Sequence, residues 1–157
     1  MGANVIRIAK DKADLVKGLT DPERTNGPFP THADAVMFAA ALGARRKRRS
    51  PLKEISKRDP APIGLEIFVS RGYEMAIKLL AIAATRDSQI LSSLNETYNE
   101  ERNHIFEEYA NGGLEILRDE LRGAVDYTER LILILMEERN HKKPTEERGF
   151  FDLSRFL

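Results

Sequence analysis

The chain has 157 residues, no cysteine, and 25 basic residues against 25 acidic ones, a length that suits one domain around a single hydrophobic core. The missing cysteine excludes disulfides, thiolate metal sites and cysteine nucleophiles. The zero net charge hides a division: residues 1–60 carry 13 Lys/Arg and 7 Asp/Glu, a net of +6, and residues 61–157 carry the other 12 against 18, a net of −6.

Taken in order, Val5-Ile6-Arg7-Ile8 reads as a short strand. A helix follows from about Lys10 to Leu19, with Leu15, Val16 and Leu19 inward, and Asp21-Pro22 beyond Gly18 stops it. Residues 21–30, with Pro22, Asn26-Gly27, Pro28 and Pro30, have the chemistry of a loop. Thr31 then caps a second helix, and Asp34 stands three residues on, in the place of a capping-box carboxylate. That helix, Ala33 to Leu42, is apolar almost all round and is therefore expected to be buried, with Gly43 as its stop.

Beyond the basic run and a proline-bounded stretch to Pro62, the alternation of Leu65, Ile67 and Val69 fits either a short strand or the start of a helix. Residues 72–85 predict a core helix on Met75, Leu79 and Ile82. Asp87 or Ser88 is expected to cap the longest helix, which carries Leu91, Leu94, Tyr98, Ile105 and Tyr109 on one stripe to about Ala110, where Asn111-Gly112-Gly113 breaks it. Helices over about 114–121 and 126–139 complete the body, and the tail from His141 ends in Phe150, Phe151, Leu153, Phe156 and Leu157. The prediction is a mainly α, single-domain bundle of about six helices with a short N-terminal strand or two-stranded ribbon. Residues 1–140 form the helical domain (basic half 1–60, acidic half 61–140) and 141–157 a charged, then aromatic, tail. The longest apolar run, Leu131 to Met136, is far below the ~20 residues of a membrane span. Met1 to Val5 has no signal-peptide pattern, so a soluble, cytoplasmic protein without membrane contact is expected.

The feature closest to function is Arg45-Arg46-Lys47-Arg48-Arg49, continued by Lys53, Lys57 and Arg58. Five adjacent cations repel one another unless carboxylates or a polyanion neutralise them. Arginine offers bidentate donors to phosphate, and no aromatic is interleaved for base stacking, so contact with the DNA backbone is the reading. Two alternatives stand beside it: a solvated loop, and a cation cluster meeting the acidic half.

A second motif repeats: Glu100-Glu101-Arg102-Asn103-His104 and Glu137-Glu138-Arg139-Asn140-His141. Glu and His three apart share a helix face, so Glu101, His104, Glu138 and His141 form an alternative metal set of the carboxylate-bundle kind. Chance repetition in helices rich in Glu and Arg explains the repeat better, and no cofactor is expected. The histidines are His32, His104 and His141 alone, no serine sits in a nucleophile elbow, and no glycine-rich phosphate loop is present. Glu54, Asp59 and Glu66 lack nuclease spacing. No catalytic residue is nominated. The apolar tail residues Phe150, Phe151, Phe156 and Leu157 are read as a partner interface, either with another protein or within a homo-oligomer.

Two stretches, Pro28-Phe29-Pro30-Thr31-His32-Ala33-Asp34-Ala35-Val36-Met37-Phe38-Ala39-Ala40-Ala41-Leu42-Gly43 and Phe106-Glu107-Glu108-Tyr109-Ala110-Asn111-Gly112-Gly113-Leu114-Glu115-Ile116-Leu117, together resemble the Dnd system-associated protein 4 family of DNA phosphorothioation cassettes. The likeness spans about residues 6–138 and leaves the tail outside it. It implies an accessory role in bacterial DNA modification, restriction or defence, with other Dnd-system proteins as partners, and carries over no catalytic residues. A helical adaptor for a larger restriction or modification subunit is the rival to DNA contact. A metal-dependent enzyme is the third reading.

Overall fold

A computed structural model describes residues 4–20 and 27–141. The stop signal at Asp21-Pro22 and the tail residues Phe150, Phe151, Phe156 and Leu157 lie outside the described residues. The chain is a mainly α domain: a two-residue strand β1 (Val5–Ile6), α1 (Ala13–Leu19) entered through a 3-10 turn at Lys10–Lys12, α2 (His32–Arg45), β2 (Ile63–Gly64), α3 (Leu65–Ser70), α4 (Glu74–Thr85), α5 (Glu96–Glu120) and α6 (Tyr127–Asn140). β1 and β2 pair antiparallel, Val5 with Gly64 and Ile6 with Ile63. The segment that fitted strand or helix is thus both, a strand at Ile63–Gly64 and a helix from Leu65.

The centre of the fold is α2 against α5. As its composition requires, α2 is buried on nearly every side (Ala33, Ala35, Val36, Ala39, Ala40, Leu42 and Gly43), with Met37 and Phe38 half-buried. Thr31 caps it by accepting the Asp34 backbone N–H at 3.2 Å. The Asp34 carboxylate goes further than a capping box: it accepts the Thr31 hydroxyl at 2.6 Å, Arg71 Nε at 2.6 Å and the Tyr73 hydroxyl at 2.5 Å. This stitches the start of α2 to the α3–α4 turn. Burial alone would raise the Asp34 pKa, but these three donors together hold it below the usual carboxylate value.

Two glycine signals behave differently from their sequence reading. Gly43 does not stop α2, which runs on to Arg45, and Lys47 takes the left-handed conformation (φ 54°) that closes it. Asn111-Gly112-Gly113 does not break a helix either: α5 passes straight through it for 25 residues. The cause is packing. A Cβ on Gly113 would overlap the Ala39 carbonyl, one on Gly112 the Arg48 carbonyl, and one on Gly43 the Tyr109 carbonyl. Each glycine disfavours helix by ~1 kcal/mol, and the backbone-to-backbone approach it permits outweighs that cost here. Asn111 completes the seam, donating to the carbonyls of Ser50 and Pro51 and accepting from Lys12 Nζ, each at 3.2 Å.

Around this pair lie Phe68 and Phe106, edge to face at 5.4 Å, with Ile6, Val16, Leu19, Leu117 and Ile134, all essentially inaccessible. Burial of each large side chain stabilises the fold by roughly 1.5–3 kcal/mol. The predicted inward stripes of α4 and α5 are partly wrong. In α4 the core receives Ile77 and Ala81, while Met75 and Leu79 are 65% and 57% exposed. Asp87 caps only a 3-10 turn at Ser88–Leu91, and Asn95 caps α5, so Leu91 and Leu94 fall before the helix and Leu94 stands in solvent.

Candidate functional site: the arginine run and its carboxylates

The basic run begins at the last residue of α2 and turns back across α5. The left-handed Lys47 sets its direction, and the Arg48 N–H donates to the Gly43 carbonyl at 2.7 Å. Four of the five cations then meet carboxylates of the acidic half. Arg45 and Arg46 both hold Glu138 of α6, at 3.3 and 2.6 Å, and Arg46 also holds Glu120 at 3.0 Å. Arg48 pairs with Glu115 at 3.0 Å, and Arg49 with Glu108 at 2.9 Å while its guanidinium lies over the Tyr109 ring.

Five cations therefore face four carboxylates, which leaves a local net charge of +1 rather than +5. Hydrogen bonding from Arg46 holds the Glu138 carboxyl below its usual pKa. Burial opposes the charge on Arg46, and its bonds to Glu138 and Glu120 outweigh that and raise its pKa. Lys47, Lys53, Lys57 and Arg58 make no ion pair among the described residues and are all exposed. The eight residues nominated from sequence thus divide into a paired set and an unpaired set.

The neighbouring polar groups on α5 are also engaged. The buried Glu107 accepts the Arg7 guanidinium through both oxygens, at 2.8 and 2.9 Å, and the Arg7 N–H at 2.5 Å, which fastens β1 to α5. His104 Nε2 lies 2.5 Å from Glu108, the same carboxylate that Arg49 uses. The alternative metal set is not assembled: Glu138 is held by Arg45 and Arg46, Glu101 and His141 are exposed, and His104 turns to Glu108. Among the described residues no group of three or more metal-ligating side chains converges.

Beside the run lies a cleft of about 720 Å³ lined by residues that include Lys10, Lys12, Lys53, Asn111 and Arg118. Lys12 is buried there, its ammonium bonded to Asp11 at 2.9 Å and Asn111 at 3.2 Å. Such satisfaction is what a buried lysine requires, and it ties the 3-10 turn before α1 to α5. Sequence reasoning missed Lys12, and no periodicity could have marked it, since its partner Asn111 is 99 residues away.

Sequence reasoning also missed the apolar surface. On α6 only Leu131 and Ile134 are buried, while Ile132, Leu133, Leu135 and Met136 are each about half exposed. Met75 and Leu79 on α4, with Ile67 and Val69 on α3, form a second exposed apolar group. None of the described helices is long and apolar enough to cross a membrane.

Comparison with known proteins adds one match. The family model described as DNA sulphur modification system-associated protein 4 matches residues 5–156, which extends the likeness through the tail. No curated protein and no solved structure matches the chain.

Proposed function

Because the chain belongs to the DNA sulphur modification system-associated protein 4 family, we propose that it is a non-catalytic adaptor that docks a larger modification or restriction subunit of such a system. The observation that carries this reading is the pair of apolar stripes, on α4 with α3 and on α6, left in solvent by a domain whose core is otherwise complete. Single exposed apolar residues are ordinary, but helical stripes of them mark interaction surfaces. The charge pattern supports it too, since the arginine run is largely spent inside the chain.

The test is co-purification with the other proteins of its own system. Met75→Lys/Leu79→Lys and Ile132→Lys/Met136→Lys are expected to keep the helical circular-dichroism spectrum, because all four side chains point outward. At least one pair is expected to lose the partner. Full retention by both would remove the adaptor reading.

DNA backbone contact is the second reading, favoured by the unpaired set Lys47, Lys53, Lys57 and Arg58 and by the half-exposed outer edges of Arg45 and Arg48. In a salt titration of duplex binding, replacing the four unpaired cations by Gln is expected to flatten the log–log slope by about 0.9 for each phosphate no longer neutralised. A slope that these replacements leave unchanged would remove this reading.

A further inference from the structure

The outward side of α6 carries more information than its apolarity. At 100° per residue the body side of the helix is fixed by Tyr127, Leu131, Ile134 and Glu138, all at least half-buried. Opposite them lie Glu129, Ile132, Leu133 and Met136, flanked by Leu135 and Arg139. Glu129 and Arg139 are exposed and make no ion pair among the described residues.

These positions are self-complementary about Ile134. Two copies of α6 laid antiparallel across a two-fold axis at the level of Ile134 bring Ile132 of one against Met136 of the other. Leu133 then meets Leu135, and Glu129 meets Arg139. The axis repeats each pair, so an apolar centre is closed at both ends by opposite charges. A parallel arrangement would instead set Glu129 against Glu129 and Arg139 against Arg139. Arg130 and Glu138, which the antiparallel axis would also level with each other, are turned to the body, Arg130 Nε on the Glu120 carbonyl at 3.0 Å and Glu138 on Arg46 at 2.6 Å.

We infer that the occupant of the α6 stripe is a second copy of this chain, bound through an antiparallel α6–α6 pair with reciprocal Glu129–Arg139 contacts. This rests on the adaptor reading and refines it: α6 serves self-association, and the α3–α4 stripe is left for the larger subunit. The Arg45 and Arg46 bonds to Glu138 gain a purpose, because they hold α6 in the orientation that presents this face. One helix pair is a small interface, so a dissociation constant on the order of micromolar is expected.

The experiment is sedimentation of the purified full-length chain from about 1 to 100 µM, a range that brackets a micromolar constant. Wild type is expected to pass from monomer to dimer, and Ile132→Lys/Met136→Lys to stay monomeric with its helical spectrum intact. Glu129→Arg alone and Arg139→Glu alone are each expected to weaken the dimer by about tenfold, since each creates two repulsions. The double variant Glu129→Arg/Arg139→Glu is expected to restore it to within about threefold. A wild type monomeric at the highest concentration overturns the inference, as does a dimer indifferent to the lysine pair. A double variant as weak as its parents overturns the antiparallel pairing. If deletion of residues 149–157 turns a monomer into a dimer, the stripe belongs to the chain's own tail and the inference is again overturned. A monomeric wild type whose α4 variants still lose the larger subunit would end this inference and leave the adaptor reading standing.

Discussion

Where α2 meets α5, the contact is backbone against backbone: Gly43, Gly112 and Gly113 leave no room for a single added carbon. Where α6 meets the body, two side chains are buried, Leu131 and Ile134, and the remaining hold is the bond from Arg130 to the Glu120 carbonyl and the two arginines on Glu138. The first contact is short-ranged, indifferent to pH and intolerant of volume. The second is electrostatic in part, and its strength follows the charge of one carboxylate. A domain joined in these two ways has a rigid centre and one helix whose attachment can be loosened separately, with the arginine run bridging the two regions.

The largest effect is expected at the centre. Gly113→Ala places a methyl on the Ala39 carbonyl, which is backbone and cannot rotate away. A loss of about 3 kcal/mol or more in a denaturant titration is expected, at the upper end of overpacking costs. A loss under about 1 kcal/mol would mean that the seam can yield, and the contrast with α6 would fade.

A smaller, local effect is expected at α6. Arg46→Ala removes one bond to Glu138 and one to Glu120, at a cost of about 1–2 kcal/mol. Amide hydrogen exchange is expected to quicken in α6 and not in α2. Acid acts on the same joint. The folded-state pKa of Glu138 lies below its ordinary value, so its contribution is complete above the usual glutamate pKa of about 4.3 and is lost as pH falls through the lowered folded-state value. Asp34, also lowered, loses its hold on Arg71 and Tyr73 in the same direction. In Arg46→Ala the acid loosening of α6 is expected to shrink. Equal acid sensitivity in the variant would show that the joint does not depend on this pair.

Much of the fold was legible. The Thr31 cap, the all-round apolar α2, the extent of α6 and the short strand at Val5 depend on neighbours in sequence, and each stands where the pattern put it. The apparent helix breakers misled because glycine has two uses. It can end a helix by turning left-handed, or admit another backbone, and only the partner's position distinguishes them. The α4 stripe failed for a similar reason: Met75–Leu79 and Ile77–Ala81 are both apolar at helical spacing, and rotation about the helix axis decided which was buried.

The site was legible as an inventory and not as an arrangement. The sequence by itself determined that a block of five cations follows a buried helix, that its partners in charge lie in the second half, and that α6 is apolar with Glu129 and Arg139 near its ends. Tertiary structure decided that Arg45, Arg46, Arg48 and Arg49 turn inward to Glu138, Glu120, Glu115 and Glu108, while Lys47 and the later cations stay unpaired. The physical reason is range. Capping, periodicity and turn chemistry act over a few residues, but these ion pairs join residues 59 to 93 apart. They form only because three glycines let α2 settle onto α5 and bring the run across its carboxylates.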